Sequence, residues 1–271
     1  MKKIFIAVTL LSICTLIQAL PVKLSHKVVK GGAKAYSCEL LTGNVNYKLE
    51  FKITEKNGKN FISGIGLLGG KRRYSKRGWW YGFNGFFKLT VWNKDFTKMP
   101  VIFTTNDDGI VFDFKEIKIR FKARENDDKL GMNVQFSKAP KNGKIQFVCY
   151  PGNMFRNNPE KRSRLIHTAK RQIPGRDKAK AIKLDKDEYW LYYMDKKFDP
   201  GIKGLYFSTC ALVYNPAEVA SVYLIPGSYA VMTDVFLSPK VKDYSFILWE
   251  FPGRKDAKCL ETMQNLTIKF K

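Results

Sequence analysis

The chain carries two histidines, His26 and His167, and histidine is the side chain best suited to move a proton near neutral pH. His26 lies close to the N-terminus. His167 lies among Arg164, Lys170 and Arg171, whose charges disfavour an imidazolium and hold the ring neutral. A neutral imidazole beside anion-binding cations suits the general base of a phosphate or sulfate ester hydrolase, if the fold also brings a carboxylate to it. A plain surface histidine fits the same residues. Nucleophilic hydrolysis has less support, because no G-x-S-x-G is present and four of the cysteines are expected to be oxidised.

Other chemistry-bearing spacings fail on their context. Gly64-Ile65-Gly66-Leu67-Leu68-Gly69 matches G-x-G-x-x-G, but the residues after it are Gly70, Lys71, Arg72 and Arg73. A dinucleotide site needs a helix there to receive the pyrophosphate, so the stretch reads as a flexible or closely packed turn. Asn106-Asp107-Asp108-Gly109 with Asp113, and Asp185, Asp187 and Glu188, offer oxygens to a calcium ion. Neither has the twelve-residue loop of a built calcium site; turn formation and charge balance explain them. The sequence calls for no metal and no cofactor.

Cation–aromatic clusters are the stronger signal. Lys71-Arg72-Arg73-Tyr74-Ser75-Lys76-Arg77 holds five cations and no acid, and runs into Gly78-Trp79-Trp80-Tyr81. Residues 156–183 hold ten Lys or Arg against Glu160 and Asp177. Cations release counterions from a polyanion, and aromatic rings stack on bases or sugars. The candidate contacts are therefore Lys71, Arg72, Arg73, Lys76 and Arg77, with Trp79, Trp80 and Tyr81 as stacking groups, and Arg162, Arg164, Lys170 and Arg171 on the second segment. Sulfated glycan, an anionic membrane surface and nucleic acid all fit this chemistry. The opposing reading seals the aromatic residues in the core and leaves the cations on a solvated hairpin tip.

The whole-chain balance favours the first reading: 48 Lys and Arg against 24 Asp and Glu leave +24 over 271 residues. Such an excess attracts any anionic surface whatever the fold. Met1-Lys2-Lys3 followed by an apolar stretch to Ala19 reads as a secretory signal peptide, too short for a membrane span. Cleavage after Ala19 leaves 252 residues, removes Lys2, Lys3 and Cys14, and brings the charge to +22. The expected location is secreted or extracellular, or periplasmic in a bacterium that retains it. Four cysteines then remain, Cys38, Cys149, Cys210 and Cys259, without any C-x-x-C, and in an exported chain they suggest two disulfides. Alternation puts Cys38 and Cys149 on apolar strand faces, which favours Cys38–Cys149 with Cys210–Cys259. Asn265-Leu266-Thr267 is the one glycosylation sequon, relevant in a eukaryotic producer.

These side chains must be carried by strands. Tyr47, Leu49, Phe51 and Ile53 alternate with Lys48, Glu50, Lys52 and Thr54, as do Phe87, Leu89 and Val91 with Lys88 and Thr90, and Ile117, Ile119 and Phe121 with Lys118 and Arg120. Period-two patterns broken by Asn57-Gly58, Asp108-Gly109 and Asn142-Gly143 predict an antiparallel β-sandwich-like fold. One basic amphipathic helix is expected from Asn158-Pro159-Glu160 to Ile173, with Leu165, Ile166, Ala169 and Ile173 as its stripe and Pro174-Gly175 as its stop. The expected organisation is a signal peptide (1–19), a β-rich N-terminal domain (20–155), a basic helix and connector (156–186) and a β-rich C-terminal domain (187–271). The chain reads as a non-enzymatic secreted protein that binds polyanions. The alternatives are an ester hydrolase built on His167, or a membrane-active, toxin-like protein that would need Trp79, Trp80 and Phe83 exposed.

Overall fold

The structure is a computed structural model, and it describes residues 22–42, 45–71, 85–124, 127–149, 164–195, 208–252 and 256–267. Strands β1 (Lys23–Val28), β2 (Lys34–Leu41), β3 (Val45–Lys56) and β4 (Lys59–Lys71) form an antiparallel four-stranded meander. There follow β5 (Phe87–Val91), β6 (Lys94–Asp95), β7 (Ile102–Asn106), β8 (Gly109–Asp113), β9 (Ile117–Arg124), β10 (Asp127–Phe136) and β11 (Lys144–Cys149). Then come β12 (Arg164–His167), β13 (Gln172–Pro174), β14 (Ile182–Lys183), β15 (Trp190–Asp195), β16 (Ser208–Tyr214), β17 (Val219–Pro226), β18 (Val231–Leu237) and β19 (Asp243–Pro252). Helix α1 (Asp256–Gln264) comes last.

Two further antiparallel sheets result. One has nine strands in the order β13-β12-β15-β16-β19-β10-β9-β8-β7, the other six in the order β14-β17-β18-β11-β5-β6. The mainly β, sandwich-like class expected from the alternation is the one observed. The boundaries at 155 and 187, however, cut through both larger sheets. Each sheet joins strands from the two β-rich stretches, and the connector itself contributes β12, β13 and β14.

The two smaller sheets lie against one face of the nine-stranded sheet. Phe51 of β3 meets Phe112 of β8 edge-on at 4.9 Å between ring centroids, and Phe147 of β11 meets Phe246 of β19 at 5.1 Å. A single hydrophobic core runs through all three sheets, from Cys38 and Leu49 through Phe121 and Val134 to Val235 and Leu248. The Tyr47 hydroxyl reaches out of the four-stranded sheet to accept the Glu250 backbone N–H at 3.1 Å and to donate to the Asp128 carbonyl at 2.5 Å. Deep burial pushes its pKa well up, so it stays a neutral donor. The opposite face of the nine-stranded sheet is capped at one end by α1, where Cys259 and Met263 pack on Trp190, Tyr192, Ala211 and Trp249.

The helix expected over 158–173 is not formed across its described part. Arg164–His167 is a strand with all four residues buried, and Gln172–Pro174 is its hairpin partner. The reason lies in the neighbours. Leu165 and Ile166 point to opposite faces of β12, one into the cluster under α1 and the other into the main core. A strand buried on both faces shows adjacent apolar residues that a short window reads as a helical stripe. The helix that does form is Asp256–Gln264, after the last strand; Leu266, just beyond it, lies outside any strand.

The G-x-G-x-x-G stretch is also not a turn. It lies inside β4, where a Cβ on Gly69 would sit 2.5 Å from the buried Glu250 Cγ. Closer still is Gly109, at the β7–β8 turn, where a Cβ would lie 2.0 Å from the Phe121 carbonyl oxygen. Backbone on that side cannot move without breaking the β8–β9 ladder. Gly109→Ala is therefore expected to destabilise the fold by about 3 kcal/mol, read as a fall in the urea midpoint at unchanged slope.

Candidate polyanion-binding face

Lys71 closes β4 through its backbone pairing with Val45. Arg72, Arg73, Lys76, Arg77, Trp79, Trp80, Tyr81, Phe83 and Arg162 are outside the described residues. Of the remaining three expected contacts, Arg164 is buried, while Lys170 and Arg171 are exposed and ion-paired. Arg164 is 3% exposed, and its guanidinium donates to the Tyr229 carbonyl at 3.3 Å. Lys170 pairs with Asp185 at 3.1 Å and Asp187 at 2.9 Å. Arg171 pairs with Glu188 through both Nε and Nη2. Only Arg164 is thus withdrawn from solvent; Lys170 and Arg171 stay at the surface with their charges paired. Strand pairing turns Arg164 inward, and the β12–β13 turn places Lys170 and Arg171 against the acids that precede β15.

His167 likewise sits on β12 rather than on a helix, 6% exposed, its ring 6.1 Å from that of Tyr192. The buried carboxylate of this region is committed elsewhere. Glu188 Oε1 accepts from Thr168 Oγ1 at 2.5 Å and Arg171 Nε at 2.8 Å, while Oε2 accepts from the Asp185 N–H at 2.9 Å and from Arg171 Nη2. The Glu188 carbonyl accepts the Tyr214 hydroxyl at 2.6 Å. The Glu188 carboxylate thus accepts four hydrogen bonds, which hold the turn together. The other acids behave similarly: Asp113 pairs with Lys118, and Asp108 with Lys122.

The described residues do bring cations and aromatic rings together, on the outward face of the six-stranded sheet. Residues paired directly across antiparallel strands share a face. Register aligns Lys183, Tyr223, Asp234, Gln146 and Lys88 in one row across β14, β17, β18, β11 and β5. Beside it run Ser221, Phe236, Lys144 and Thr90. Four inter-strand spacings put the end lysines about 19 Å apart. Phe236 is 36% exposed, its ring edge-on to Tyr223 at 5.7 Å, with Lys144 Nζ 5.9 Å from its centroid. Gln146 donates to Asp234 at 2.7 Å, and Lys144 reaches the same carboxylate at 3.4 Å. Sequence reading missed this row because its members come from five separated stretches; the one signal was the alternation of Lys88 with Phe87 and Leu89.

The Glu188 cluster yields a pH dependence. Burial alone would raise the Glu188 pKa, but hydrogen bonds from Arg171, Thr168 and the Asp185 N–H outweigh it and bring the value from 4.5 to about 2. The unfolded chain takes up this proton near pH 4.5 and the folded chain only near 2. The stabilisation is therefore complete above pH 4.5 and drains away as pH falls towards 2, for a total of about 3 kcal/mol. Glu188→Gln should lower stability at pH 7 and flatten the decline between pH 4.5 and 2, as followed by urea unfolding across that range.

No family model matches the chain, and no curated protein matches it. Among solved structures it is similar to a polysaccharide lyase, with 13% identity and a TM-score of 0.34, over 80% of this chain and 34% of that one. It is also similar to a glycoside hydrolase family 31 dextranase of Flavobacterium johnsoniae, solved with isomaltotriose, with 10% identity and a TM-score of 0.21, over 86% of this chain and 26% of that one. The chain thus spans about a third and a quarter of the lengths of these two proteins.

Proposed function

We propose that the chain is a secreted, non-enzymatic protein that binds polyanionic glycans through the outward face of its six-stranded sheet and the basic segment leading into it. The observation that carries this reading is the row Lys183–Tyr223–Asp234–Gln146–Lys88. A hydrogen-bonded sheet holds these side chains at fixed spacing, so little order has to be created on binding. Lysines near its ends suit sulfate or carboxylate groups. Phe236 and Tyr223 offer apolar surface to sugar C–H faces, and Gln146 and Asp234 offer hydroxyl partners between the cations.

Asp234 also discriminates among polyanions. Paired with Lys144, its carboxylate interrupts the cations of the face, which suits a chain whose anions are spaced out better than a continuous phosphate backbone, and its remaining lone pairs accept hydroxyls. This supports a sulfated glycan over nucleic acid. An anionic bilayer would want an apolar wedge that projects, whereas this surface is a sheet face. In sequence, the basic–aromatic segment from Lys71 to Tyr81 precedes β5, the strand that bears Lys88. The apolar leader ending at Ala19 supports export, and N-terminal sequencing of the secreted protein is expected to begin at Leu20.

Heparin affinity chromatography tests the reading against generic charge. Replacing Lys88, Lys144 and Lys183 by Gln should lower the salt needed for elution from heparin well beyond the effect of replacing Lys23, Lys27 and Lys52 on the four-stranded sheet. On a plain cation exchanger the two triple variants should behave alike. Phe236→Ala, which leaves the charge unchanged, should weaken heparin binding roughly tenfold, the loss of about 1.4 kcal/mol expected for an aromatic contact. Equal losses for both triple variants on heparin would overturn the proposal.

A further inference from the structure

We propose that Cys149 and Cys210 form a disulfide that bolts the six-stranded sheet to the nine-stranded sheet. Cys149 ends β11 and Cys210 lies in β16. Their Sγ atoms are 3.5 Å apart across the inter-sheet core, and the residues are 1% and 0% exposed. A disulfide needs about 2.05 Å, a closure of about 1.5 Å that side-chain rotation can supply.

The same geometry removes the pairing expected from the sequence. Cys210 points into the main core, while Cys259 packs with Ala211 in the cluster beneath α1, on the other face of β16. Adjacent residues of a strand point to opposite faces, so the sheet itself separates Cys210 from Cys259. Cys38 belongs to the four-stranded sheet, paired across from Leu49, while the Cys149 sulfur is turned to Cys210. None of these four cysteines is in a disulfide in the structure.

The bond forms by thiol–disulfide exchange with a low-molecular-weight disulfide such as oxidised glutathione. Two S–H bonds and the S–S bond of the oxidant break, and the protein S–S bond forms. The two electrons and two protons leave as two molecules of reduced thiol. The attacking species is a thiolate, and burial with the Cys149 contact pushes the Cys210 thiol well up. Exchange therefore has to occur while the two sheets are still apart, during folding, and hardly at all in the closed molecule.

The test refolds the denatured, reduced full chain with and without a glutathione redox buffer, alkylates free thiols and maps tryptic peptides. Peptides 145–156 and 204–240 should appear linked, two hydrogens lighter than their sum, with Cys38 and Cys259 alkylated. Native reduced protein held in the same buffer should remain unlinked. The residues are 61 positions apart, a loop long enough that the linked form should melt about 10 °C above the reduced one. Cys149→Ala should lose that oxidant-dependent rise. The proposal is overturned if both peptides are recovered alkylated after oxidative refolding, if either is joined to 35–48 or 259–269, or if Cys149→Ala keeps the rise.

Discussion

A nine-stranded sheet presents a broad apolar face, and taking that face out of water organises the rest of the molecule. One smaller sheet could not cover it, since adjacent strands advance only about 4.8 Å. Two sheets divide the task. The four-stranded meander covers the β7–β10 region through the aromatic contacts of Phe51 with Phe103 and Phe112, and the six-stranded sheet covers the part around β19 through Phe147 and Phe246. Where the nine-stranded sheet continues past β19 towards β12, its outer face is apolar too, and α1 closes that side. Strands β12, β15 and β16 are thus buried on both faces, which explains their continuous apolar sequence.

Burying so much sheet requires that each polar group taken inside be satisfied. Tyr47 does this at the seam of two sheets, linking backbone groups of β19 and β10. Tyr193 and Thr233 do so across the other seam, their hydroxyls 3.0 Å apart. Glu188 is the costliest case, a carboxylate with no exposed surface. It is held by the turn that carries Thr168 and Arg171, and a buried ion of this kind is tolerated because its hydrogen-bonding capacity is filled. Arg171 supplies the opposite charge and donates from Nε and Nη2.

How much was legible follows from the range of each signal. Strand alternation is local, and Tyr47–Ile53, Phe87–Val91 and Ile117–Phe121 were readable from their own residues. The β12 segment misled because Leu165 and Ile166 are both buried for tertiary reasons, under α1 on one side and in the main core on the other. Helix α1 carried a signal, with Cys259 and Met263 four apart, but it is a single short stripe next to a stretch that alternates. The basic–aromatic row was out of reach from sequence. Lys88, Gln146, Lys183, Tyr223 and Asp234 lie in five strands, and only the strand order 14-17-18-11-5 places them side by side. Residue spacing carries no information about a line that runs perpendicular to every strand.

The same distinction bears on what the cation excess can do. Many acids are already consumed locally, by Lys118, Lys122, Lys129, Lys144, Lys170 and Arg171. Because Lys and Arg outnumber Asp and Glu two to one, pairing leaves a large remainder of cations that no internal acid can answer. That remainder repels itself across the surface and opposes compactness. On the function proposed above, a polyanion would relieve the repulsion only in the folded state, where the cations are held close together, so binding and folding would favour one another. Three sheets packed on a shared core tolerate that repulsion in the folded molecule, and the sheet face is where strand register keeps cations, rings and polar side chains at a fixed spacing.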